Sequence, residues 1–160
     1  IFKTTVTIST IRMQKMTHLH FYFHDILGGN NRTTMRIIGL PNQTVRGFGS
    51  TFMMDDPLTE GPESTSKLVG RAQSIYALAS QHGLGLLMVM NFASVEGMYN
   101  GSALRILGRN PASDTVREMP IVGGSGHFRF ASGYALAKTV WFNQMTGDAV
   151  VEYNVSVVHY

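Results

Sequence analysis

From His18 onward hydrophobic and polar side chains alternate, and a turn signal returns about every 8 to 15 residues, the pattern of an antiparallel sheet folded on itself. In the first such run Leu19, Phe21 and Phe23 share one face and His18, His20, Tyr22 and His24 the other, because successive side chains of a strand point to opposite sides. The apolar set must face a core. The same reading predicts strands over 18–26, 33–38, 47–54, 67–80, 84–94, 102–108, 116–122, 128–142 and 149–158, with little helical periodicity between them. Turns fall at Gly28-Gly29-Asn30-Asn31 and Thr146-Gly147, the third strand ends at Asp55-Asp56-Pro57, and Asn100-Gly101 is a strong hairpin signal because both residues tolerate positive φ. Residues 58–66, rich in Thr, Glu, Gly, Pro and Ser, read as a mobile surface loop, and 109–114 as another loop.

Composition turns this all-β pattern into a shape. The chain has 17 glycines, some inside predicted strands at Gly70, Gly85 and Gly133, and such bends let a sheet curl into a closed barrel rather than lie as a flat sandwich. At 160 residues the chain is sized for a single domain, read as an N-terminal tail over 1–16 and a barrel over 17–160. The 44% hydrophobic and 14% charged content suits a folded core. Thirteen basic residues against ten acidic ones are scattered, with no run that could follow phosphates, so no nucleic-acid partner is expected. Nor is a membrane expected: the best apolar run, Leu84 to Met90, ends at Asn91, far short of the roughly 20 residues a spanning helix needs.

Absence of cysteine excludes a disulfide scaffold, a thiolate metal site and a cysteine nucleophile. Four Asn-x-Ser/Thr acceptors, at Asn31, Asn42, Asn100 and Asn154, exceed the one or so that chance would give, which favours a glycosylated, secreted chain.

Candidate chemistry begins at Asp25, whose parity places it with Phe21 and Phe23 on the inward face. A carboxyl drawn from water favours its neutral form and can act as a general acid; the other reading is a cap on the turn amides near Gly28. His18, His20 and His24 are spaced for a zinc or copper site, but the opposite face is strongly apolar, so solvated outward imidazoles and no metal are expected. Arg71 and Arg117 are isolated cations in apolar strands, fit for a phenolate, a carboxylate or a structural ion pair. Tyr76 offers a phenol at a strand centre, to bond a ligand or to pack. Gly123-Gly124-Ser125-Gly126 precedes a strand and lacks a following Lys-Ser/Thr, so it reads as a tight turn and not a phosphate cradle.

Four segments, Phe21-Tyr22-Phe23-His24-Asp25-Ile26, Asp55-Asp56-Pro57-Leu58-Thr59, Val69-Gly70-Arg71-Ala72-Gln73 and Val122-Gly123-Gly124-Ser125-Gly126-His127-Phe128, together resemble the plant dirigent family in wording, order and spacing. The resemblance covers residues 17–160. It implies an eight-stranded antiparallel barrel of the dirigent and allene-oxide-cyclase type, a homotrimer secreted to the apoplast, a pocket for a phenolic small molecule, and neither metal nor organic cofactor. Residue by residue it assigns Asp25, Tyr76 and Arg117 to catalysis, and Asn110, Phe23, Leu78 and Phe128 to the substrate.

Asn110 stands where lignan-forming members carry Asp, Leu78 stands where they carry a second Tyr, and those members look disulfide-bonded. The chain is therefore more similar to the branch that includes the legume pterocarpan synthases. That likeness implies a carbon–oxygen lyase that dehydrates a 4-hydroxyisoflavan through a quinone methide and closes a ring. The alternative within the family is a non-catalytic guide for coupling monolignol-like phenoxy radicals to lignans; outside it, a lipocalin-like binding barrel.

Overall fold

The computed structural model describes residues 13–39 and 47–160. Among them nine strands run in sequence: β1 (Lys15–Asp25), β2 (Thr34–Ile38), β3 (Thr51–Thr59), β4 (Leu68–Leu78), β5 (Gly85–Ser94), β6 (Ala103–Pro111), β7 (Arg117–Ser125), β8 (Ser132–Phe142) and β9 (Ala149–His159). Every pairing is antiparallel. From β3 to β9 each strand pairs with the next, β9 pairs with β1, and β1 meets β3 through Tyr22↔Thr59 and Phe23↔Leu58. That last contact closes an eight-stranded barrel. The ninth strand, β2, covers the rest of the same β3 edge, from Thr34↔Met54 to Ile38↔Thr51.

The shared edge explains why Asp55-Asp56-Pro57 does not end the third strand as its turn chemistry suggests. β3 continues to Thr59. The Asp55 amide bonds Thr33 on the β2 side, so by parity Pro57 points its nitrogen to that edge too, at the gap where β2 has stopped pairing and β1 has not begun. A proline is tolerated there because no ladder bond is required.

Two other boundaries move for local reasons. β7 continues through Gly123, Gly124 and Ser125, and the turn itself is a 3-10 segment at Gly126–Phe128. The expected strand over 128–142 therefore starts only at Ser132. A Cβ on Gly124 would collide with the carbonyl and Cβ of Phe128, and Gly126 sits at φ 63°, so this turn requires glycine at both places. The β5–β6 hairpin forms as expected but through a wider loop, with a 3-10 turn at Gly97–Tyr99 ahead of Gly101 at φ 78°.

Alternate residues of the strands fill the barrel. Phe21, Phe92 and Tyr153 pack its middle, with Phe21 edge-on to Phe92 at 5.0 Å and Phe92 edge-on to Tyr153 at 5.1 Å. Each buried ring adds roughly 1.5–3 kcal/mol over an exposed one. No described helix is long and apolar enough to cross a membrane.

Candidate active site

Where β1, β4, β6 and β8 end and β5, β7 and β9 begin, the core stops short of the barrel mouth and leaves a cavity of about 290 Å³. Its size is at the lower end for small-molecule sites. Its wall is mainly apolar, with Phe23, Leu78, Leu86, Met88 and Val151 among its residues. Into this surface project Asp25 from the last position of β1, Tyr76 from β4, Asn110 from β6, Arg117 from the first position of β7 and Tyr153 from β9. Strand ends thus gather side chains that lie as much as 128 residues apart, Asp25 and Tyr153 being the extremes.

Asp25 faces inward as its parity requires, and Tyr76 O–H donates to its Oδ2 at 3.3 Å. The role of turn cap falls elsewhere. The amides of Leu27 and Gly28 both donate to Asp148 Oδ1 at 2.8 Å. Tyr76 itself is fixed by stacking on Phe52, ring centres 4.8 Å apart.

Asn110 belongs to β6 rather than to a loop, because that strand runs on to Pro111. Its Oδ1 accepts a hydrogen bond from Arg117 Nε at 3.1 Å. Both residues are buried, and Arg117 Nη1 is a buried donor without a hydrogen bond among the described residues. Burial lowers the Arg117 pKa, while Tyr153 and Asp114 act against that shift. A guanidinium nevertheless stays charged in a protein. The cavity therefore holds a cation whose polar neighbour is a neutral amide.

Of the seven side chains the sequence assigns to catalysis or substrate, six line this cavity: Asp25, Tyr76, Arg117, Asn110, Phe23 and Leu78. Phe128 does not. β7 starts at the cavity and runs away from it, so the turn at its far end carries Phe128 to the opposite mouth, where it stacks on Tyr99 at 4.7 Å beside a second cavity of about 360 Å³. Charged groups at that mouth pair with one another, Lys67 lying 2.5 Å from Glu96 and 3.6 Å from Glu60.

The histidines also separate. His18 bonds Ser156 at 3.0 Å and His20 bonds Glu152 at 2.8 Å on the outer face. His24, expected in solvent, is buried beside the 60–66 loop, sharing an outer hollow with Pro62, Ser64 and Trp141. Thr59 gives its one hydroxyl hydrogen to the Gly61 carbonyl, so His24 Nε2 is the donor in its 2.7 Å bond to Thr59 Oγ1. Burial lowers the His24 pKa and favours this neutral ring. Among the described residues no cluster of His, Asp and Glu could hold a metal ion. Arg71 forms an outer ion pair with Asp55 at 2.6 Å.

Two inward groups escape the sequence reading. Tyr153 lines the cavity and is buried, which raises the pKa of its phenol; Arg117 opposes that rise and Asp25 adds to it. Asp56 is fully buried, and its carboxyl is raised to about 8, first by burial and then by the charge of Asp25, against the hydroxyls of Thr33 and Thr34 and the charge of Arg71. The parity of Phe52, Met54, Asp56 and Leu58 carries that signal, because all four alternate onto the inner face.

Against known proteins, the family model described as dirigent-like protein matches residues 16–158. This chain belongs to the dirigent family. It is 54% identical to dirigent protein 21 of Arabidopsis thaliana over 91% of its length and 78% of the relative's. It is 52% identical to pterocarpan synthase 1 of Glycyrrhiza echinata, over 96% of this chain and 84% of that one. A solved structure of a pterocarpan synthase dirigent protein superposes with a TM-score of 0.90 at 49% identity, over 98% of this chain and 99% of the other. In this dirigent protein the cavity lies at one end of the barrel, where Asp25 and Arg117 both project into it.

Proposed function

We propose that this dirigent protein is a pterocarpan-forming hydro-lyase, acting on a 4-hydroxyisoflavan. The observation that carries this reading is one apolar cavity that contains both a carboxyl held by a phenol, Asp25 with Tyr76, and a buried guanidinium on a neutral amide, Arg117 with Asn110. Dehydration followed by ring closure needs an acid for the leaving hydroxyl and a stabiliser for phenolic charge. Two relatives named pterocarpan synthase, at 52% and 50% identity, support it.

Asp25 gives a proton to the benzylic hydroxyl and the carbon–oxygen bond breaks, releasing water. The phenol para to that carbon gives up its proton as the quinone methide forms, and Arg117 Nη1 meets the charge that develops on its oxygen. A second phenol, ortho on the other ring, attacks the electrophilic carbon and closes the furan. Its proton returns to Asp25, and the first phenol regains one from solvent. Protons balance, and the net loss is one water. Tyr76 and the apolar wall hold the two rings for attack on one face.

Secretion and assembly complete the proposal. Asn31, Asn100 and Asn154 are exposed, as sugar acceptors must be, and Asn42 lies outside the described residues. Met35, Met53, Ile75, Val89 and Leu107 follow one another in register across β2 to β6 on the outer face. Four of the five are exposed, Ile75 being half-buried. Such an apolar row suits a contact between barrels, and the assembly we propose is a homotrimer in the apoplast.

Asp25→Asn tests the acid. It is expected to abolish dehydration while the protein still binds the isoflavanol, read by calorimetry; full turnover in that variant would remove Asp25 from the mechanism.

A further inference from the structure

Asp25 and Asp56 stand in separate sequence motifs, yet the seam that closes the barrel brings their strands together. The pairs Tyr22↔Thr59 and Phe23↔Leu58 fix the register of β1 on β3. Extended two residues beyond that pairing, the same register aligns Asp25 with Asp56, and both side chains are directed inward. Like charges at facing positions of neighbouring strands destabilise a sheet, and two such carboxyls do not both ionise near neutral pH.

Burial favours a retained proton on Asp56, against the two threonine hydroxyls that donate to it. Asp56 is fully buried. Thr33 and Thr34 both donate to its Oδ1, at 3.0 Å from Thr34, and the same Thr34 hydroxyl stands 3.1 Å from Oδ2. One hydroxyl hydrogen cannot serve both oxygens, so Oδ2 can carry a proton. Both threonine amides donate to the Ile26 carbonyl, which fastens this cradle to the chain just after Asp25.

The charged and titratable groups around the pair do not replace that proton. Arg71 of β4 faces the outside and is engaged by Asp55 at 2.6 Å. Arg117 of β7 rests on Asn110 of β6. Tyr76 of β4 bonds Asp25, Tyr153 of β9 is a buried phenol, and Asp148 binds the amides of Leu27 and Gly28.

We propose that Asp25 and Asp56 work as a proton-sharing carboxyl pair, in which Asp56 is the positioning residue that stores the proton at neutral pH and gives it up to Asp25, which delivers it to the leaving hydroxyl. The raised pKa of Asp56, to which the charge of Asp25 contributes, agrees with this pairing. It rests on the proposed acid role of Asp25. In the cycle the pair goes from one proton to none as water leaves, and regains one from the ring-closing phenol.

The test titrates the ligand-free protein by NMR with the aspartate carboxyl carbons labelled, and follows kcat/KM for isoflavanol dehydration against pH. In the wild type the Asp25 and Asp56 signals are expected to share two titration steps, the upper above neutrality. Asp25→Asn is expected to lower the Asp56 midpoint by roughly one pH unit or more. The isosteric Asp56→Asn is expected to move the alkaline limb of kcat/KM down by a similar amount, because Asp25 then ionises alone. An Asp56 midpoint indifferent to Asp25→Asn overturns the pair, whether or not Asp56→Asn folds. So does a uniform loss of rate in Asp56→Asn with the alkaline limb in place. Coupled titration together with full turnover by Asp25→Asn sustains the shared proton and overturns the acid role, so the two failures are told apart.

Discussion

The Nε of Arg117 donates to Asn110 Oδ1 at 3.1 Å, which sets a buried guanidinium on an amide that carries no charge. Burying an ion with no carboxylate in contact is unfavourable unless other groups answer it. The arrangement leaves Nη1 to an anionic or anion-forming oxygen of a ligand.

Asn110→Asp changes one atom type at that contact and supplies a counter-charge directly on the guanidinium. It is expected to lower kcat by about tenfold or more, because Arg117 then has a permanent anion in place of a developing one. Melting temperature is expected to hold or rise, since the new ion pair is buried. Steady-state kinetics and a thermal melt on the same preparation check both; an unchanged kcat separates Arg117 from catalysis.

Tyr76→Phe removes the hydroxyl that bonds Asp25 and keeps the ring stacked on Phe52 at 4.8 Å. The loss of one hydrogen bond of about 1 kcal/mol is expected to slow turnover roughly fivefold. Binding and melting temperature should change little, because the packing is retained.

Asp56 gives stability a pH dependence with a definite sign. Its carboxyl binds a proton at about pH 8 in the folded protein, against an ordinary value of 3.8. The folded state therefore holds the proton more tightly, and the stability it contributes is complete below pH 4 and lost as pH rises towards 8. Over that window the unfolding free energy should fall steadily with rising pH through this group. Urea denaturation at a series of pH values should show the slope in the wild type and lose it in Asp56→Asn.

Leu107→Glu places a charge in the outer apolar row, where Leu107 faces Val89 across β5 and β6. Leucine is exposed in the single barrel, so the fold itself has little to lose. Light scattering after size exclusion is expected to read a trimer for the wild type and a monomer for the variant. A wild-type monomer would leave the row without that role.

Much of the molecule is legible in its alternation, and the rest depends on chain direction and closure. Phe21, Phe23 and Asp25 share a face by parity alone, and the structure keeps them there. Parity also assigns Asp56 and Tyr153 to the interior, but their neighbours look like ordinary core, and the turn chemistry of Asp-Asp-Pro masks the first of them. His24 has outward parity and is buried because the 60–66 loop covers it, a tertiary contact with no local signal. Phe128 has the right character for a phenol pocket but lies at the wrong end of β7, which spacing along the chain does not reveal. The register whose extension aligns Asp25 with Asp56 exists only once β1 meets β3.

The most direct measurement is product analysis by chiral chromatography after incubating the purified protein with racemic 4-hydroxyisoflavan and no oxidase. One enantiomer of pterocarpan is expected to form, with the matching isoflavanol consumed and the other left. If that mixture gives no product, while coniferyl alcohol with an added oxidase gives a lignan of one hand, the barrel guides radicals and the lyase reading is wrong.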